Sequence, residues 1–181
     1  MLTLLLALST VDYISKISLR KRISRRKVEE LLPNVDDFRT ELALSYQDIG
    51  YNSTFFKTTC QFYKYADLLI EDNGVTSQCH LHIGDIISIL AEDDSECFAV
   101  LRSIFSQKKD DQHFAFIVVD WFEITNQAKL ECPVYRIRTD ELRRVFPISI
   151  VNTNTAAHFI HYCDNSQDLY IRNLYFFKAV W

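Results

Sequence analysis

The interval between apolar positions changes once along the chain. Val11, Ile14, Ile17 and Leu19 recur at a loose helical spacing, which predicts a short helix near the N-terminus. A second short helix is expected to run to Leu32, where Pro33 would stop it. Asp36 and Asp37 suit a helix start, and Phe38, Leu42 and Tyr46 follow at helical spacing. That predicts a helix over 36–46 that packs by one face. From residue 54 the interval falls to two: Phe56, Thr58, Cys60 and Phe62 alternate with Lys57, Thr59, Gln61 and Tyr63.

Strand composition continues from there. Leu68-Leu69-Ile70 precedes a turn at Glu71-Asp72-Asn73-Gly74. Leu81 to Leu90 and Cys97 to Phe105 are the next apolar runs, divided by an acidic hairpin tip at Glu92 to Glu96. A polar break at Lys108 to Gln112 leads into His113 to Ile124, which is apolar enough for a central strand. Val134 to Arg138 alternates apolar and basic residues, as a half-exposed strand does. A helical turn is expected over Glu141 to Val145, before Pro147. Ile148 to Val151, Ala157 to Cys163 and Leu174 to Trp181 complete the set. Short strands at roughly ten-residue spacing predict a mainly β fold. The expected form is a twisted, partly open barrel behind a short helical N-terminal arm. The expected division is a basic arm over 1–53 and a β domain over 54–181.

The chain has 181 residues, 48% of them hydrophobic, enough for a buried core in one domain. Only Gly50, Gly74 and Gly84 are glycine, so no Gly-rich loop can cradle a phosphate, which excludes P-loop and Rossmann nucleotide sites. The net charge of −4 hides an asymmetry. Residues 1–27 hold seven Lys/Arg and one Asp, whereas residues 28–181 hold 13 Lys/Arg and 23 Asp/Glu. An acidic body suits a basic partner, of which a histone tail is one example. Five cysteines at irregular spacing make a poor disulfide framework and point to a reducing compartment. The apolar Leu2 to Leu8 run is too short to span a bilayer, and its positive charges follow it rather than precede it. No membrane association is expected.

The ordered strands of the middle region resemble a bromo-adjacent homology (BAH) domain. His82-Ile83-Gly84-Asp85-Ile86-Ile87-Ser88-Ile89 resembles that family's opening strand, and Cys97 to Phe105 its next. Val119-Asp120-Trp121-Phe122-Glu123 resembles its strand with an aromatic pair. Glu131 to Ile137, Val145 to Val151 and Asn173 to Val180 resemble the strands that follow. The likeness covers about residues 66–181 and departs at Glu123, where the family often has Arg. It implies a non-catalytic nuclear recognition or scaffold module, partnered by chromatin, a histone tail or another nuclear protein, without cofactor or metal. It also implies an aromatic cage for methylated lysine. Phe98 and Trp121 fall at two cage positions, Tyr135 lies near a third, and Glu123 is the candidate rim carboxylate because Gln127 stands where the family has an acid.

Other chemistry is weaker. Cys79, His80 and His82, with His158, His161 and Cys163, offer zinc-type ligands, which keeps a zinc-binding domain as an alternative. They lack the CxxC or HxxxH spacing that makes a metal site specific. No nucleophile elbow is present, and Asp93-Asp94 and Asp110-Asp111 stand at loop tips, so no enzyme is expected. Arg20, Lys21, Arg22, Arg25, Arg26 and Lys27 form a candidate nuclear-import run. No aromatics interleave with it in sequence, which argues against single-strand nucleic-acid binding, and sequence-specific DNA binding is not expected. The remaining alternative is a plain protein-interaction domain without a cage.

Overall fold

The computed structural model describes residues 13–23, 35–51, 60–72, 74–90, 96–109, 111–138, 143–153, 157–164 and 167–175. Among the described residues there are eleven strands and one α-helix. They run β1 (Tyr13–Ile23), α1 (Val35–Asp48), β2 (Gln61–Asp72), β3 (Val75–His82), β4 (Ile86–Leu90), β5 (Glu96–Lys109), β6 (Gln112–Lys129), β7 (Cys132–Ile137), β8 (Val145–Pro147), β9 (Val151–Asn152), β10 (Phe159–Asp164) and β11 (Gln167–Arg172). A short 3-10 turn, Ile148–Ile150, links β8 to β9.

All pairings are antiparallel, and the main path runs β1-β2-β5-β6-β7-β11-β10 without closing. The mainly β expectation therefore holds. β3 flanks β2, β4 bridges β5 and β9, and β8 pairs with β6.

The central strands are apolar because both of their faces are covered. One face of β5 and β6 presents Leu101, Ile104, Ile117 and Val119 to a core with Ala66, Leu68, Leu81, Ile89, Phe146 and Ile148. The other presents Phe105, Phe116 and Val118 to α1, which inserts Phe38, Leu42 and Tyr46. α1 matches the expected helix, including its one-faced packing. Arg143 and Glu41 fasten it to β8. The Arg143 guanidinium reaches Asp48 at 2.5 Å and Ser45 Oγ at 2.9 Å, and Glu41 accepts the backbone N–H groups of Arg144 and Val145, each at 2.8 Å.

Several expectations change. Residues 13–23 are not helical: β1 pairs along β2 from Tyr13↔Glu71 to Ile23↔Phe62. A register shift between Ile14 and Lys16 inserts one residue into the alternation. It places Ile14 and Leu19 against the core while giving the sequence a helix-like interval. The boundary expected at 53/54 thus crosses the β1–β2 pairing and the packing of α1 on the sheet. The expected strand Leu81 to Leu90 is split at Ile83–Asp85, where Gly84 takes φ +99°, a left-handed value that favours glycine. Val145 opens a strand rather than closing a helical turn, and Ile148–Ile150 is a 3-10 turn rather than a strand. Leu174 and Tyr175 lie in a turn, and β11 was not foreseen. The Leu2 to Leu8 run, the helix toward Leu32, Phe56, Thr58 and the acidic tip at Asp93-Asp94 lie outside the described residues.

Candidate functional site

Where β6 leaves the main sheet it pairs with β7, and β7, β11 and β10 continue as a smaller sheet. An aromatic cluster fills the junction. Phe98 from β5 and Phe122 from β6 meet Tyr135 of β7, Phe159 of β10 and Tyr170 of β11. Phe122 stacks on Phe159 at 5.4 Å between centroids with 9° between planes, and Tyr170 lies 4.7 Å from Phe122. Tyr135 meets Phe98 at 5.9 Å and Phe159 at 5.4 Å, both edge to face. These separations are those of rings in mutual contact.

A cation already lies on this cluster. The Arg172 guanidinium sits 4.4 Å from the Phe98 centroid and donates to Glu96 at 2.6 Å, while Ser88 donates to the other Glu96 oxygen at 2.8 Å. The face of Phe98 turned toward Arg172 is therefore taken by the chain's own charge. Burial, followed by the negative charge of Asp168, pushes the Tyr170 phenol above its ordinary value.

Phe98 and Tyr135 come together as expected, but Trp121 does not join them. Ala99 is the register partner of Trp121, so Phe98 and Trp121 project to opposite faces. Trp121 enters the main core, meets Phe146 edge to face at 5.5 Å, and donates its indole N–H to the Arg143 carbonyl at 2.7 Å. Phe122 takes the place beside Phe98 that was expected for Trp121. Glu123 is engaged in an ion pair with Arg136, its cross-strand neighbour. Gln127 is exposed farther along β6.

The Cys/His groups stay apart. Cys79, His80 and His82 are on β3, whereas His161 and Cys163 are on β10 and His158 just precedes it. His80 contacts Asp67 at 2.7 Å, His161 contacts Asp168 at 3.0 Å, and His158 lies 3.2 Å from Asn173. Among the described residues no three metal-ligating side chains cluster. Burial, with the nearby Asp85 charge, pushes the Cys79 thiol up, so it is a poor thiolate donor.

Of the basic run, Arg20, Lys21 and Arg22 are exposed on β1, and Arg25, Arg26 and Lys27 lie outside the described residues. Sequence reasoning missed Phe159, Tyr170 and Arg172. The alternation Leu169, Tyr170, Ile171, Arg172 was the available signal, because Leu169 is buried while Tyr170 and Arg172 share the opposite face.

One more feature concerns β10. Among the described residues it is hydrogen-bonded on one side only, to β11. Ile160, His161, Cys163 and Asp164 are exposed along it, and Asp168 is exposed beside it. No family model, curated protein or solved structure matches this chain.

Proposed function

We propose that this chain is a non-catalytic recognition and scaffold module of BAH-like, chromatin-associated type. It holds a basic, extended protein segment of the histone-tail kind along β10. The carrying observation is the outer edge of that strand, which has no backbone partner among the described residues, an exposed Ile160 and carboxylates at Asp164 and Asp168. An added strand supplies main-chain hydrogen bonds, and the carboxylates select a positively charged one. The acidic balance of residues 28–181 and the resemblance of the sequence segments around Gly84-Asp85, Cys97 to Phe105 and Trp121-Phe122 to BAH domains support the same reading. Separation of Trp121 from Phe98 and Tyr135 favours the version without a three-ring cage.

The test is anisotropy of labelled histone-tail peptides, unmodified and trimethylated, against the full chain. Binding is expected to ignore methylation and to weaken about tenfold in Ile160→Lys, which blunts the edge and repels a basic strand. An Ile160→Lys variant that binds like the parent, or equal binding of an acidic peptide, overturns the β10 site. Methylation-dependent binding returns the cage.

A further inference from the structure

β1, β2 and β3 form a three-stranded outer sheet whose inward residues Leu19, Ala66, Leu68 and Leu81 join the core. Its outer face is built in register. Arg20 faces Tyr65, which faces His82, and the next row is Ser18, Asp67 and His80. The Lys21 ammonium lies 5.9 Å from the Tyr65 centroid, and His82 meets the same ring edge on at 4.7 Å. Asp67 holds Arg20 at 2.5 Å and His80 at 2.7 Å. Arg22 continues the cations one pair further, opposite Tyr63.

The charge on this strip is one-sided. β1 carries Lys16, Arg20, Lys21 and Arg22 and no carboxylate. Asp67 is paired with Arg20 and contacts His80, and Asp85 lies beside His82, so among the described residues the local excess rests on Lys21 and Arg22. Glu71 and Asp72 are six and seven residues along β2 from Tyr65, the register partner of Arg20, which at ~3.3 Å per residue is well beyond a physiological Debye length of about 8 Å. Glu71 is two residues from Leu69, opposite Lys16, and offsets that lysine. The acidity of the whole body therefore does not cancel the local field.

We propose that this outer face binds single-stranded nucleic acid without sequence specificity. Phosphates lie on Lys21 and Arg22, beside the Asp67-paired Arg20, and one base stacks at Tyr65. Alternate residues on a strand stand roughly 6.7 Å apart, within reach of successive phosphates on an extended chain. Cations flanking an aromatic face are the usual way to hold unpaired bases. A polyanionic peptide would use the cations but not the ring. The aromatic interleaving absent from the linear basic run is supplied across the sheet, by Tyr65. This site is independent of the β10 edge.

The test is anisotropy of a labelled oligothymidine of about twenty nucleotides with the full chain, over a salt series. The parent is expected to bind. Tyr65→Leu should weaken binding about tenfold and leave the salt slope unchanged, because stacking releases no counterions. Lys21→Gly combined with Arg22→Ala should reduce the slope by about 1.4, at roughly 0.7 per phosphate contact. Lys21 has φ +56°, so glycine fits its backbone and removes the charge without unfolding the strand. Thermal melts of each variant identify loss of fold, and Tyr65→Phe, which keeps the ring, should bind like the parent. No binding by the parent overturns the site. So does equal binding of a Tyr65→Leu protein with a parental melt. Polyglutamate or phosphatidylserine vesicles competing as well as the oligonucleotide would assign the face to an acidic peptide or a membrane instead.

Discussion

Replacing Trp121 with Ala tests the placement of the most consequential side chain. Trp121 is 6% exposed and packs edge to face on Phe146. A side chain of this kind removes about 150–250 Å² from water, which at about 25 cal/mol per Å² sets an upper bound of roughly 4–6 kcal/mol. Truncation also leaves the Arg143 carbonyl without its indole donor, a further cost of about 1 kcal/mol. Partial collapse of the cavity returns some of this, so the expected loss is about 3–5 kcal/mol. A domain of this size has about 5–15 kcal/mol in total, and each kcal/mol shifts its melting temperature by about 2–4 °C. Urea unfolding followed by circular dichroism should show a lower midpoint with an unchanged slope, and the melt should fall by about 6–20 °C. Trp121→Phe keeps most of the packed surface and should recover more than half of the loss. A loss below about 1 kcal/mol for Trp121→Ala would place the indole in solvent and refute the core assignment.

Two further outcomes follow from the same geometry. Arg143→Ala should cost about 2–3 kcal/mol in urea unfolding, since it strips Asp48 and Ser45 of a mostly buried guanidinium, and Arg143→Lys should recover less than half because an ammonium cannot reproduce the fork. The hydrogen bond from His80, with the Arg20 charge, holds the Asp67 carboxyl below the ordinary carboxylate range against the opposing effect of burial. Its stabilisation is therefore complete above the unfolded value near 4 and lost as pH falls through the lower folded value; acid titrations should show a shallower loss of stability below about pH 4 in Asp67→Asn than in the parent.

The parts legible in sequence are those where one physical rule acts alone. Phe38, Leu42 and Tyr46 lie on one helical stripe, and all three are buried. Ile89, Val100, Leu101, Ile117 and Val119 belong to strands covered on both faces, so their apolar runs carry the information directly, while Ile86 at the start of β4 is only partly covered. Legibility fails where geometry intervenes between pattern and face. In β1 the inserted residue near Ser15 turns a period of two into spacings of three and two, which imitate a helix. For the expected cage, residue types were visible but register was not. One step along β5, from Ala99 to Phe98, decides which aromatic of β6 shares a face with it, and the partner is Phe122. Tyr65 was invisible as a partner of Lys21 because only strand pairing unites residues so distant in sequence.

The two ends of the sheet differ in a way that bears on how each is used. β1 is guarded against strand addition: its ladder shifts between Ile14 and Lys16, Lys21 takes a left-handed conformation, and its side chains are cationic. Bulges and lysines are the devices by which edge strands refuse a neighbour. Its recognition surface is therefore the outer face rather than the edge, which suits a flexible polyanion lying across several strands. β10 has none of these guards. Its six residues pair with β11 without a register shift, from Phe159↔Arg172 to Asp164↔Gln167, and none takes a positive φ. A regular edge strand without bulges attracts strand addition, and among the described residues nothing pairs with this one. Carboxylates at Asp164 and Asp168 restrict that partner by charge, and the cations of β1 oppose pairing of β1 with the β1 of a second copy. Opposite signs at the two ends also make β1 of one copy attractive to β10 of another. The irregular ladder of β1 opposes that head-to-tail pairing, because a shifted strand cannot match the regular register of β10 along its length.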